Sequence, residues 1–151
     1  MLDIKNVKFN DDPRMAQSVK DHIETFYNDN PMLEYMGITV TEFGWARVRL
    51  DANVKHDVTN VYHIAHGGLA FTLADTAMGG ACLGCNKRVV TLDMTMNFIK
   101  AVPEGAHIYG VGEVIHNGKH TMVCVANVYD DEGDLVLKSQ ATFYVLKEFT
   151  D

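Results

Sequence analysis

The sequence has no apolar run long enough to cross a membrane as a helix, which needs about 20 residues. The longest candidate, around residues 64–85, is interrupted by His66 and Asp75. Residues 1–12 have no apolar centre of the kind that a signal peptide contains. We therefore expect no membrane association and a cytoplasmic location.

Basic residues are in the minority, because 13 Lys and Arg stand against 20 Asp and Glu and give a formal net charge of −7. Nucleic-acid binding needs a basic surface, so we expect no nucleic acid partner, although a local cationic patch can still bind a small anion. Cysteines are few, and the three present (Cys82, Cys85 and Cys124) cannot all pair within one chain. This favours a reducing compartment.

The 151 residues, 47% of them apolar, have the length and composition of one soluble domain, and no repeat or linker divides them. We expect a single domain over residues 1–151. Its first element is a predicted amphipathic helix over about 12–29, with Asp12 as N-cap and Pro13 at the first helical position.

The remaining pattern predicts an α+β fold. A strand pair within 35–53 and a polar loop over 54–65 precede a long apolar helix over about 66–83. Turn signals at Asn117-Gly118 and Asp131-Glu132-Gly133 help to separate four predicted strands in meander order, over 88–99, 106–116, 119–130 and 134–147. The helix is apolar nearly all round, so we expect an antiparallel sheet to wrap around it.

Asp75 is the one acidic residue inside the predicted central helix. An unpaired carboxylate in an apolar interior costs several kcal/mol, so something must compensate it. One interpretation is a structural Asp bonded to nearby hydroxyl groups (Thr72 or Thr76) or to loop amides. The other is a functional carboxylate on the wall of a cleft, and the residues that open the same helix favour it.

His66, Gly67 and Gly68 open that helix, where backbone N–H groups lack acceptors and carry partial positive charge. Such donors can polarise a carbonyl group or hold an oxyanion. On one helix, His66 and Asp75 are about 13.5 Å apart along the axis and half a turn apart around it. They can meet at one carbonyl group only if two helices run antiparallel across a two-fold axis. If both features are catalytic, the enzyme is at least a dimer.

Residues 59–82, TNVYHIAHGGLAFTLADTAMGGAC, resemble the acyl-CoA thioesterases of the phenylacetyl-CoA thioesterase type. An Asn six residues before the HGG motif and an Asp nine residues after its His carry the resemblance, which covers about 35–147. It implies the hotdog fold and hydrolysis of acyl-CoA to a free acid and coenzyme A, with no cofactor. It also implies a site shared between two chains of a homodimer, which we expect to pair further into a homotetramer.

The resemblance also implies a role for individual residues. Asp75 corresponds to the catalytic carboxylate, which acts as a general base or as a nucleophile. The backbone N–H of Gly67 corresponds to the oxyanion hole, and Asn60 to the residue that contacts the thioester. Thr91 corresponds to a residue that orients the attacking water, while His66 has an orienting role.

Substrate binding is expected to involve Gly68 and also His63, whose ring lies at the acyl entrance. Many relatives carry Gly at the position of His63, so the acyl specificity is not inherited from the resemblance. If the ligand is coenzyme A, its phosphates need cations. The candidates near predicted strand ends are Lys87, Arg88, Lys100, Lys119 and His120.

Several alternatives stay open or are set aside. A hotdog hydratase or dehydratase needs a different arrangement of His and acid, and a non-catalytic acyl-CoA sensor normally needs an output domain. The loop histidines (His56, His63 and His66) and the CxxC of Cys82 and Cys85 invite a metal interpretation. We expect no metal, because loop histidines are commonly polar surface residues and the CxxC lacks the second cysteine pair that would complete a four-ligand zinc site. Gly110-Val111-Gly112 is typical of a strand packed closely against a neighbour.

Overall fold

The computed structural model describes residues 4–151 and contains one seven-stranded mixed sheet and three α-helices. The strands are β1 Lys8–Asn10, β2 Ile38–Gly44, β3 Arg47–Asn53, β4 Lys87–Phe98, β5 His107–Asn117, β6 Thr121–Asp130 and β7 Leu135–Glu148. The helices are α1 Gln17–Asn28, α2 Pro31–Met36 and α3 Gly67–Gly84. Within residues 4–151, no helix is long and apolar enough to span a membrane.

The strand order is β1-β2-β3-β5-β6-β7-β4. The predicted hairpins β5–β6 and β6–β7 are present, but the predicted meander is wrong, because β4 lies at the far edge beside β7 and not next to β5. Turn residues determine hairpins between neighbouring segments, whereas the placement of β4 depends on long-range pairing. The expectation of a wholly antiparallel sheet is also wrong at β1, which pairs with β2 in parallel.

The central helix α3 begins one residue later than predicted and ends at Gly84, and the sheet wraps around it. Its largest fully buried side chains are Leu69, Leu73 and Met78. The expected close packing at Gly112 is present, because a Cβ there would lie 2.6 Å from the backbone nitrogen of Met78. A glycine at this position of β5 therefore allows the sheet to approach the helix backbone.

The N-terminal helix differs from the prediction at its start. Asp12 does not cap it, since its carboxylate accepts hydrogen bonds from the backbone and side chain of Arg14, and α1 begins only at Gln17. After Asn28 the chain forms the unpredicted short helix α2. The Asn30 side chain accepts from the N–H of Leu33, with Pro31 at the first helical position. The strand β2 therefore begins at residue 38 and not at 35.

Candidate functional site

Asp75 lies on the wall of a cavity of about 680 Å³ between α1, α3 and the start of β4. It is half-buried, so the expectation of a deeply buried carboxylate is wrong for the single chain. Its Oδ1 accepts a 2.8 Å hydrogen bond from the Thr91 hydroxyl. Thr91 reaches it because Thr91 is paired with Phe143, whose side chain is buried, so both side chains point to the helix face of the sheet.

The first turn of α3 leaves one backbone donor available. His66 caps the helix, because its Nδ1 accepts a 2.8 Å hydrogen bond from the N–H of Gly68. The N–H of Leu69 donates to the His66 carbonyl oxygen at 3.0 Å. The N–H of Gly67 has no acceptor among residues 4–151. This is the donor that an incoming carbonyl oxygen can use.

Asn60 and His63 shape the turn that leads into α3. The Asn60 side-chain oxygen accepts from the N–H of Tyr62 at 2.9 Å, and its carbonyl oxygen accepts from the N–H of His63. His63 has φ = 57°, in the left-handed region that favours glycine. This explains why glycine suits the position. This chain has the exposed ring of His63 at that position.

Asp75 and Gly67 lie on different cavities of one chain. The cavity at Gly67 has a volume of about 330 Å³ and is also lined by His66 and Phe98, whereas Asp75 and Thr91 line the larger cavity. Eight residues of continuous helix separate Gly67 from Asp75 by about 12 Å along the axis. Within a single chain the structure therefore does not bring the carboxylate and the free N–H together.

Strand β4 runs past both features. Thr91 contacts Asp75 near its start, and the Phe98 ring lies against Gly67 at its end, 3.2 Å from where a Cβ would be. In the part of the chain that the structure describes, β4 pairs only with β7, so its other edge is free. Its exposed side chains include the large apolar groups of Leu92 and Phe98, at 58% and 60%.

The predicted phosphate-binding cations lie in different surroundings. Arg88 lines the Asp75 cavity, as does Lys87. Lys100 lines the Gly67 cavity, but its ammonium contacts the carboxylates of Asp130 and Asp134 at 2.6 and 2.7 Å, and these carboxylates neutralise it. Lys119 is exposed in the β5–β6 turn, away from both of these cavities.

Sequence reasoning missed the contribution of the N-terminal helix to this cavity. Tyr27, Asp29 and Asn30, at the end of α1 and just beyond it, line it together with Gly79 and Gly80 of α3. The buried Tyr27 hydroxyl packs against Gly80 and has no hydrogen-bond partner among residues 4–151, and burial raises the pKa of this phenol. The consecutive glycines were the available signal, because they leave room beside α3 for another element.

Comparison with known proteins gives a consistent match. Residues 62–137 match the family model described as the thioesterase superfamily. The Escherichia coli acyl-coenzyme A thioesterase PaaI is 25% identical over 118 residues, which cover 78% of this chain and 81% of that protein. Its structure superposes with a TM-score of 0.82 at 20% identity, over 89% and 97% of the two chains. The predicted hotdog fold is thereby confirmed.

Two further solved structures are similar, each with a TM-score of 0.72 and covering 75% of this chain and 91% of its own. One is a hypothetical thioesterase of Streptococcus pneumoniae with coenzyme A, at 27% identity. The other is a Streptococcus mutans protein bound to acetyl CoA, at 26% identity.

Proposed function

Because the chain belongs to the thioesterase superfamily, we propose that it hydrolyses an acyl-CoA thioester to a free acid and coenzyme A. The observation that carries the proposal is the Asp75–Thr91 hydrogen bond on a cavity wall, together with the unpaired N–H of Gly67. The E. coli relative named as an acyl-coenzyme A thioesterase and the similar structures with coenzyme A and acetyl CoA support the substrate class.

The chemistry needs an activated oxygen nucleophile and a donor for the carbonyl oxygen. In one route the Asp75 carboxylate takes a proton from water held by Thr91, and the water oxygen attacks the thioester carbon. In the other, the carboxylate attacks and forms an anhydride that water then hydrolyses. In both routes the N–H of Gly67 stabilises the negative carbonyl oxygen before the C–S bond breaks and the thiolate is protonated.

The site proposed here is completed by a second copy of the chain. The free edges of two β4 strands pair antiparallel about a two-fold axis near residues 94 and 95. Thr91 of one strand then lies opposite the partner subunit's Phe98. Because Thr91 contacts Asp75 and Phe98 contacts Gly67, this pairing brings Asp75 to the partner subunit's Gly67. The exposed apolar side chains of β4 support the choice of surface.

The first experiment measures thioester hydrolysis by thiol release with a panel of aryl, short, medium and long acyl-CoAs. We expect Asp75→Asn to fold normally and to lose ~10²–10⁴ in kcat, the usual contribution of a general base. A variant with near-normal turnover removes Asp75 from the mechanism. Tight binding without release on every substrate would favour an acyl-CoA sensor instead. In single turnovers in H₂¹⁸O, an anhydride that water opens at the Asp75 carboxyl carbon leaves only unlabelled oxygen in the acid, whereas a general base introduces ¹⁸O into it.

A complementation experiment tests the shared site. Gly67→Pro removes the N–H while placing proline at the first helical position, where it is favoured. Both Asp75→Asn and Gly67→Pro homodimers should be almost inactive. In a random mixture, half of the dimers are mixed and each has one intact site, so activity should return to about a quarter of wild type. No recovery, with mixed dimers present by native mass spectrometry, would contradict a site built from two chains.

We also propose that residues 1–151 act as one domain and that two such dimers associate into a homotetramer. The half-buried apolar residues on the outer face of the sheet, Val111, Val123 and Val125, support this second interface. Light scattering of the purified protein measures the assembly. An active monomer would contradict both interfaces, and an active dimer would contradict only the second.

A further inference from the structure

Glycine is an unfavourable residue inside a helix, because only proline has a lower helix propensity. Helix α3 nevertheless contains five glycines. Close packing explains four of them, since a Cβ at each would be crowded by another residue. The crowding is by Phe98 at Gly67, by His66 at Gly68, by Tyr27 at Gly80 and by Gly44 at Gly84.

Gly79 is the fifth glycine, and packing does not explain it. Outside its own turn of α3, a Cβ at this position would come within 4 Å of only one atom of residues 4–151, on the Phe143 ring at 3.9 Å. This is an ordinary van der Waals distance, so alanine would fit. Gly79 also lies in the interior of the helix and has no positive φ. The fold of the chain therefore favours alanine here.

Gly79 lies on the cavity that contains Asp75. It follows Asp75 by four residues of α3, so the two positions share one face of the helix and are about 6 Å apart along its axis. Both line the cavity of about 680 Å³, and apolar side chains of Leu83, Val89 and Phe143 line it as well. A side chain at residue 79 would therefore occupy the cavity beside Asp75.

The reaction gives this space a use. The thioester carbon must lie within about 3–3.5 Å of the oxygen that attacks it, whether this oxygen belongs to Asp75 or to water beside it. The first carbon atoms of the acyl group then lie within reach of Gly79, one helical turn away. Apolar walls favour hydrocarbon over the polar chain of coenzyme A. The empty space at Gly79 therefore suits the part of the acyl group next to its carbonyl.

We propose that Gly79 determines the width of the acyl group that the protein accepts, by leaving room for a branch close to the thioester carbonyl; the proposal rests on the thioesterase function proposed above. A linear chain needs less width than a branched one. A side chain at residue 79 should therefore exclude branched acyl groups and still admit linear ones.

The test compares wild type with Gly79→Ala and Gly79→Leu on hexanoyl-CoA and 3,3-dimethylbutanoyl-CoA. The two acyl groups have the same number of carbon atoms and differ in width. Thiol release measures kcat/KM for each thioester, and the linear one serves as the internal control for effects on the chemical step. The ratio of branched to linear kcat/KM reports the width of the site.

Wild type should hydrolyse both thioesters. Gly79→Leu should lower the branched-to-linear ratio about tenfold or more, since one methylene group in an apolar pocket changes specificity by about 10-fold to 200-fold. Gly79→Ala should lower the ratio by a smaller factor, and it decides the question if the leucine variant does not fold. The proposal is overturned if no folded variant lowers the ratio, or if wild type hydrolyses only the linear thioester.

Urea unfolding separates this role from a structural one. Gly79→Ala should raise the urea concentration at the midpoint, because alanine favours the helix and meets no close contact. Gly80→Ala is the matched control and should lower the midpoint, because its Cβ would overlap the Tyr27 hydroxyl. A lower midpoint for Gly79→Ala, or a change of its assembly state in light scattering, would assign Gly79 to packing or to subunit contact and overturn the proposal.

Failure of the proposed function gives a different result. A wild-type protein that hydrolyses neither thioester contradicts the thioesterase function. Calorimetry of two uncleavable thioethers, S-hexyl-CoA and S-(3,3-dimethylbutyl)-CoA, then still decides the role of Gly79. Gly79→Leu should raise the Kd of the branched thioether about tenfold relative to that of the linear one. An unchanged ratio of the two Kd values, or no binding of either thioether by wild type, overturns the proposal.

Discussion

Substitution of Gly112 tests how tightly the sheet holds the helix that carries the site. Gly112 lies in β5 and faces the backbone of α3. A Cβ at this position would lie 2.6 Å from the nitrogen of Met78 and closer still to the carbonyl group of Ala77. Ordinary contact begins at 3.4 Å, so the helix would have to move by more than 0.8 Å. Backbone atoms inside a helix cannot rotate away as a side chain can.

We therefore expect Gly112→Ala to lower the free energy of unfolding by at least about 2 kcal/mol, in the range observed for overpacked interiors. Gly110→Ala is the matched control, two residues earlier on the same face of β5. Its Cβ would meet a side-chain carbon of Leu73 at 3.2 Å, which can shift by a few tenths of an ångström. The smaller entropy of the unfolded chain offsets this crowding, so Gly110→Ala should be within about 1 kcal/mol of wild type.

Urea unfolding at one fixed protein concentration measures both variants, since oligomerisation makes stability concentration-dependent. Gly112→Ala should also reduce kcat, because Ala77 lies two residues from Asp75 and a shifted helix disturbs the Asp75–Thr91 hydrogen bond. If the two variants are equally stable, the contact with the helix backbone is not what makes glycine necessary at residue 112, and the reasoning is refuted.

Three further outcomes are expected. Thr91→Ala should lower kcat about 10-fold to 100-fold, because it removes one hydrogen bond to a charged group. This loss should be smaller than that of Asp75→Asn, and an equal loss in both variants would contradict an auxiliary role of Thr91. His66→Ala should lower the free energy of unfolding by about 1 kcal/mol through the missing cap, and His66→Asn should recover most of it; no recovery would contradict the capping role. Burial raises the pKa of Cys85 to about 11, and all three cysteines are buried, so a thiol reagent at mildly alkaline pH should modify only unfolded protein.

The central helix and its motif could be predicted because their signals are local. An apolar run without proline, interrupted by a single acid and opened by a His-Gly-Gly cap, predicts α3 to within a residue at each end. The distance between Gly67 and Asp75 follows from helix geometry alone, and the structure places them on separate cavities of one chain. The assignment of catalytic roles stays a prediction.

The elements that the sequence did not place correctly depend on tertiary contacts, or on local hydrogen bonds that compete with the predicted ones. The position of β4 beside β7 involves pairs such as Lys87 with Glu148, which no local pattern specifies. The late start of α1 arises because Asp12 binds Arg14 in place of helix N–H groups. The contribution of Tyr27 to the cavity depends on how α1 packs on α3, which its own periodicity does not determine.

The position of β4 also affects how the protein is made. Its neighbour within the chain is β7, so all of 99–134 must be synthesised before the pairing strand begins. At about 5–20 residues per second, both sides of a twelve-residue strand, half of it apolar, stay unpaired for seconds on the ribosome. A strand with unpaired edges is prone to aggregate with other nascent chains. The yield of active protein should therefore depend on co-translational chaperones and on rapid association with a folded second copy of the chain.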